Sequence, residues 1–246
     1  MTNRSTTRLL LTPIAVAATA VVQSALRRRI VTWGATKTEA QARLPGDELL
    51  NEADGVTTRA IGIHAPAAAV WPWLAQMGPA PRGGAYAYDW IENLLGLGMH
   101  SVDRVLPEFQ HPRAGDTIDF GSNSMTMELV ERDRVLALRS KDRTWVWTFV
   151  LDESHGITRL ISRNRFCLPT LMARLGMVVM EPGSLVMERK MLRGIKQRAE
   201  RLAVSGSDDP NVHGAEAHEH GSPRGPSRGL IRGRKAHSPV APAGAR

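Results

Sequence analysis

Residues 144–154, TWVWTFVLDES, place Trp145, Trp147, Phe149 and Leu151 at every second position. Successive side chains of a strand point to opposite faces, so this run builds one wholly apolar face that has to be laid on a core. It does not stand alone. SMTMELVERD (124–133) sets Met125, Met127 and Leu129 against Ser124, Thr126 and Glu128, and VLALRS (135–140) follows after a tight turn at Asp133-Arg134. ITRLISRNRFCL (157–168) comes after the turn Ser154-His155-Gly156, and DTIDF (116–120) adds a shorter strand. Strands this close together in sequence predict an antiparallel meander. TRAIGIHAP (58–66) alternates more weakly, ends at Pro66, and reads as a first strand set apart from the others.

Two helical patterns flank the meander. AAAVWPWLAQMG (67–78) spaces Val70, Trp71 and Leu74 for a helix that stops at Gly78, with Pro72 removing one backbone donor inside it. GSLVMERKMLRGIKQRAERLA (183–203) is built of good helix formers, and Leu185, Leu192, Ile195, Ala199 and Leu202 draw an apolar stripe opposite its Arg and Lys residues. WGATKTEAQARLPGDELL (33–50) reads as a short helix and a Pro-Gly turn, a connector and not a core element. Strands grouped apart from helices define an α+β fold. A curved antiparallel sheet around a long C-terminal helix leaves a cleft between them, where a ligand fits.

The formal charge of +8 does not belong to this body. Residues 1–30 hold five Arg and no acid, residues 31–203 net only +1, and residues 204–246 net +2. Phosphate-backbone binding needs a basic excess on the folded module, so nucleic acid is not expected as a partner. Cys167 is the single cysteine, which rules out an intrachain disulfide and a thiolate metal cluster. Residues 9–26, LLLTPIAVAATAVVQSAL, carry no charge and are bracketed by Arg8 and Arg27-Arg28-Arg29. Their length suits a single membrane-spanning anchor; a cleaved signal peptide and an interfacial helix are the alternatives. The triple Arg after the segment favours a cytoplasmic body. From residue 204 onward the chain is rich in Gly, Pro, Ser and His and is expected to be disordered. His213, His218 and His220 lack a scaffold for a defined metal site.

RGGAYAYDWIENLLG (82–96) holds both tyrosines of the chain. Asp89 to Glu92 fits a capping box, with Asp89 accepting from the N3 amide and Glu92 reaching back, and Gly96 stands where a terminating glycine belongs. Tyr86, Tyr88 and Trp90 would then present their rings to a cavity mouth or pack the short helix onto the sheet. His100, Asp103, Arg104 and Glu108 lie close together, and a His with two carboxylates could serve as an acid–base set or as metal ligands, although Ser101 as a helix cap and an Asp103–Arg104 pair account for the segment more simply. Arg159, Arg163 and Arg165 lie on one strand face, either flanking an anionic head group or simply facing outward. There is no G-x-S-x-G, H-E-x-x-H, phosphate-binding loop or dinucleotide fingerprint, so no cofactor is implied.

WGAT, LPGDEL, VWPWLAQMG, RGGAYAYDWIENLLG, PEFQ, TRLISRNR and MERKMLRGIKQRAE together resemble the SRPBCC (START-like, polyketide-cyclase-like) superfamily, in a bacterial branch often carrying membrane helices before the WGAT element. The resemblance implies a helix-grip fold enclosing a hydrophobic cavity. It implies binding of a hydrophobic small molecule or lipid, with a cyclase- or aromatase-like enzyme and a collapsed, purely structural core as the other possibilities. On this reading residues 1–30 are the anchor, 31–57 the connector, 58–203 the domain and 204–246 the tail. Tyr86, Tyr88, Trp90, Trp145, Trp147, Phe149, Met191 and Ile195 are the expected ligand-binding residues. Trp145, Trp147 and Phe149 would form the wall, with Met191 and Ile195 as the floor.

Overall fold

The computed structural model describes residues 21–207 apart from position 122. The expected anchor 9–26 therefore falls largely outside the described residues, and the tail from 208 wholly so. Residues 21–31 are helical, and among the described residues no helix is long and apolar enough to cross a membrane.

Six strands form one antiparallel sheet: β1 (Gly55–Ile63), β2 (Thr117–Phe120), β3 (Asn123–Glu131), β4 (Val135–Ser140), β5 (Trp145–Ser154) and β6 (Ile157–Phe166). Their spatial order is β1-β6-β5-β4-β3-β2, so the five later strands are the expected meander and β1 pairs back onto β6. A register shift between Met127 and Leu129 marks a bulge in β3, which bends the sheet. Besides the helical residues 21–31, four α-helices lie among the described residues: α1 (Lys37–Gln41), α2 (Ala67–Ala75), α3 (Asp89–Leu94) and α4 (Leu171–Ser207). The arrangement is the α+β helix-grip: a sheet closed around a long C-terminal helix.

The alternation of β5 works as its spacing demands. Phe149 and Leu151 join Met125, Met127, Leu138 and Leu160 in a core completed by Trp71 and Leu74 of α2 and by Leu192 and Ile195 of α4. Each such side chain contributes about 1.5–3 kcal/mol by leaving water. Helix α2 is buried nearly all round, since Trp73 joins Trp71 inside. Its first amide, Ala67 N, donates to Glu153 Oε2 at 2.7 Å, a cap supplied by β5 in place of a neighbouring side chain.

Helix α4 runs 37 residues, starting twelve residues before the expected 183 and passing through Pro182. A proline costs one ladder bond but does not end a helix that is held on both sides. Here Glu181 takes a charged hydrogen bond from Arg27 at 2.7 Å, and Ser184 Oγ takes one from Arg59 Nη2 at 3.0 Å. Further along, α4 lies directly on the loop before α3. A Cβ placed on Gly194 would meet Tyr86 O at 2.4 Å and Tyr86 Cβ at 2.8 Å. Gly194→Ala will therefore lower stability by about 1–3 kcal/mol despite the better helix propensity of alanine. Urea unfolding measures this, and a midpoint equal to or above that of the parent would mean that α4 rides clear of the loop.

The connector is laid across the outer face of the sheet. Arg159, Arg163 and Arg165, which could have faced solvent, clasp it instead. Arg163 is 2% exposed and donates to Asp47 Oδ2 at 2.8 Å, Ala42 O at 2.7 Å, Glu39 O at 2.7 Å and Thr58 Oγ1 at 3.0 Å. Arg165 donates to Leu50 O at 2.9 Å, and Arg159 Nε to Glu39 Oε1 at 2.7 Å. The Arg159 guanidinium holds the Glu39 carboxyl down at about 2. Gly46, at φ +87°, lets the connector approach closely, because a Cβ there would meet Thr148 Oγ1 at 2.7 Å. Covering this face is what buries Val135 and Ala137 of β4 on the side away from the core.

Candidate functional site

Where the first half of α4 leaves the sheet, the core opens. A hollow of about 280 Å3 lies between α4 and the inner faces of β1, β5 and β6, walled by Trp147, Phe166, Met177, Met187 and Met191. A second, of about 690 Å3, extends toward β2, β3 and the β4–β5 turn past Met99, Phe120 and Met125. Ala85, Glu92, Trp145 and Trp147 line both, so the two hollows adjoin along one cleft wall. Three methionines give the smaller hollow an adaptable apolar wall.

Polar groups are set into that wall. Arg59 of β1 is 1% exposed and forms an ion pair with Glu188 of α4. Glu188 also accepts from Ser162 Oγ at 2.6 Å, while Arg59 Nε donates to Ile30 O at 3.2 Å. One guanidinium thus joins residues 21–31, β1 and α4. Burial pushes the Glu188 carboxyl up, and Arg59 and Ser162 oppose that push. The indoles are also engaged: Trp145 Nε1 donates to Asn164 Oδ1 at 2.9 Å and Trp147 Nε1 to Ser162 Oγ at 2.9 Å. Among the described residues, two buried polar atoms on this wall have no hydrogen-bond partner, Thr57 Oγ1 and Glu92 Oε2.

The expected ligand-binding residues separate into two groups. Trp145, Trp147 and Met191 line the hollow, and the two indoles stack with centroids 5.8 Å apart. Phe149 and Ile195 are fully buried in the closed core behind it, so the floor is made by Met187 and Met191 and not by Ile195. Tyr86 is also a core residue: its hydroxyl donates to Trp73 O at 3.0 Å, its ring meets Trp73 edge-on, and burial pushes its phenol up. Tyr88 lies half-buried beside Lys190, and Trp90 is 69% exposed. Neither of these two lines the cleft.

The capping box expected at Asp89 does not form. The cap residue is Tyr88, with no side-chain cap bond, and the Asp89 carboxylate accepts from Ser101 N at 2.7 Å and Ser101 Oγ at 2.6 Å. Asn93 grips the same loop through Met99, donating to its carbonyl at 2.8 Å and accepting from its amide at 2.6 Å. With those two side chains tying α3 to residues 99–101, Glu92 turns to the cleft wall. Burial, reinforced by the Asp89 charge, pushes its carboxyl up to about 7. Gly96, at φ +75°, does follow the helix as a terminating glycine. Of the possible acid–base set, Asp103 pairs with Arg198 at 2.9 Å and Arg201 at 3.0 Å, not with Arg104. His100 and Glu108 are exposed and do not line the cleft. No group of three or more His, Cys, Asp or Glu suited to a metal ion occurs among the described residues.

Sequence reasoning missed Arg59, Glu188, Ser162, Asn164 and Thr57. A signal was present: Ser162 and Asn164 share strand parity with the core residue Leu160, and Arg59 with Ile61 and Ile63, which marks polar residues on an inward face.

The chain matches no protein-family model and no curated protein. Solved structures similar to it include protein MLL2253 from Mesorhizobium loti, at 16% identity and a TM-score of 0.37, covering 60% of this chain and 98% of that one. The Polyketide_cyc-like protein Cgl2372 from Corynebacterium glutamicum is 13% identical, with a TM-score of 0.32 over 68% of this chain and 97% of its own. CalU16 from Micromonospora echinospora is 15% identical, with a TM-score of 0.30 over 61% and 86%. At such values the function rests on this chain's own side chains.

Proposed function

We propose that this protein is a binding module that takes an apolar small molecule or lipid into the cleft between α4 and the sheet. One observation carries the reading: a hollow of about 280 Å3 that stays open beside a tightly filled core and is walled by aromatic rings and methionines. Ligand sites are typically clefts of this kind, apolar with a few placed polar groups. The uncharged run 9–26 would tether the module to a membrane on the cytoplasmic side, which delivers it to a source of apolar guests.

Native mass spectrometry of the full chain purified from its host's membrane fraction tests both parts. The expected result is a co-purifying apolar mass and recovery with the membranes. A clean apo mass together with failure to take up any apolar fluorophore would sink the binding reading, and recovery in the soluble fraction would sink the tether.

A second reading, a cyclase- or aromatase-like enzyme, is favoured by Glu92. A carboxyl that titrates near neutrality beside an apolar cleft is suited to moving a proton. Arg59 and Glu188 neutralise each other, which leaves Glu92 as the acid for such chemistry. Turnover of a guest by the parent, lost in Glu92→Gln while uptake persists, separates this reading from simple binding.

A further inference from the structure

The cleft wall carries a more specific instruction about its guest, resting on the reading above that the cleft is a binding site. We propose that the Glu92 carboxyl donates a hydrogen bond to an acceptor oxygen, carbonyl or ether, of the bound apolar molecule. The site would thereby select oxygen-bearing guests over hydrocarbons of the same shape.

The geometry points to Glu92 because the other polar groups of the wall are spent, the Thr57 hydroxyl apart, and Glu92 alone of the two unpartnered groups lines both hollows. Both indole donors are satisfied by Asn164 and Ser162, and Glu188 is satisfied by Arg59 and Ser162. Glu181, also on this wall, is paired with Arg27 at 2.7 Å. Glu92 is 8% exposed, its Oε2 has no hydrogen-bond partner among the described residues, and it lines both hollows. A buried polar atom left unpaired is costly, so a guest that satisfies it is favoured over one that does not.

The surroundings determine which partner suits it. Asp89 sits one turn back on α3, Arg59 faces the cleft from β1 already paired to Glu188, and Glu181 faces it from α4. Lys141 and Asp142 also line the larger hollow, where Asp142 accepts from Ser140 and Thr144. Among the described residues no cation pairs with Glu92, and burial with the Asp89 charge favours the protonated acid up to about pH 7. A protonated acid is a donor, and its complement is an acceptor oxygen.

The probe is prodan, an apolar aromatic ketone whose emission moves to the red when its carbonyl accepts a hydrogen bond. With the parent chain, affinity should fall about fivefold, the worth of one such bond, as pH rises through about 7. The emission should move to the blue over the same range. Glu92→Gln retains an N–H donor and should bind without this pH dependence. Glu92→Leu should bind about fivefold more weakly than the parent at acidic pH, with blue emission throughout. If the leucine variant does not fold, the pH titrations of the parent and the glutamine variant decide the matter alone. Uptake and emission that are the same at every pH and in every variant overturn the role of Glu92 and leave the cleft as a binding site. A parent that takes up no prodan at any pH overturns the binding reading itself.

Discussion

Arg59→Leu is expected to lower the unfolding free energy by about 3–5 kcal/mol, because it leaves the Glu188 carboxylate buried without its counter-charge. Three structural units share that guanidinium, so residues 21–31 should also lose protection from amide exchange. The loss should grow with pH. Burial already raises Glu188 above its ordinary value of 4.5, and removing Arg59 takes away the cation that opposed the rise. The unfolded chain then releases the proton at lower pH than the folded one, so stability falls as pH climbs from about 4.5 until the folded group has itself ionised. Arg59→Met with Glu188→Leu removes both charges and should recover most of the loss, since an apolar pair of similar volume replaces a buried ion pair at little cost. Urea unfolding of Arg59→Met, Glu188→Leu and their combination forms a double-mutant cycle, with Arg59→Leu measured beside it. A single variant within about 1 kcal/mol of the parent would mean that water reaches the pair.

Why the ion pair went unread, while the fold did not, is a matter of which forces leave a local trace. Alternation at Trp145, Trp147, Phe149 and Leu151 is enforced by the pleat, so strand identity and facing were legible from neighbouring residues alone. The stripe through Leu192, Ile195 and Ala199 is likewise periodic, and so the gripping helix was legible over its second half. Its first half was not, because Pro182-Gly183 reads as a helix break, although Leu171, Leu175 and Val179 before it recur at helical spacing. Arg163 read as an outward charge because strand parity reports a face and not what covers it. The covering segment is 116 residues away at Asp47. Asp89 fitted a cap by spacing, but Ser101, twelve residues on, offered two donors and won. The aromatic wall was therefore legible at Trp145 and Trp147, whereas the polar atoms that give it selectivity depend on pairings between β1, β6 and α4.

Met177→Trp combined with Met187→Trp should abolish uptake, weakening prodan binding about a hundredfold, equivalent to about 2.7 kcal/mol. Both methionines line the smaller hollow from α4 and are only half-buried, so the larger rings can enter the void without displacing the packed core at Leu192 and Ile195. Filling a cavity adds contacts, so the thermal midpoint should hold or rise, which separates blockage from unfolding. Leu175→Trp is the matched control: it lies on the same helix, 54% exposed and outside the hollow, and should leave affinity unchanged. The pattern across guests is more telling than the size of the loss. Filling excludes every guest, hydrocarbon or ketone, because it removes volume, whereas Glu92→Leu removes one donor and spares hydrocarbons. A filled variant that binds prodan as tightly as the parent would place the guest elsewhere on the molecule, and both the cleft and its acid would lose their assigned roles together.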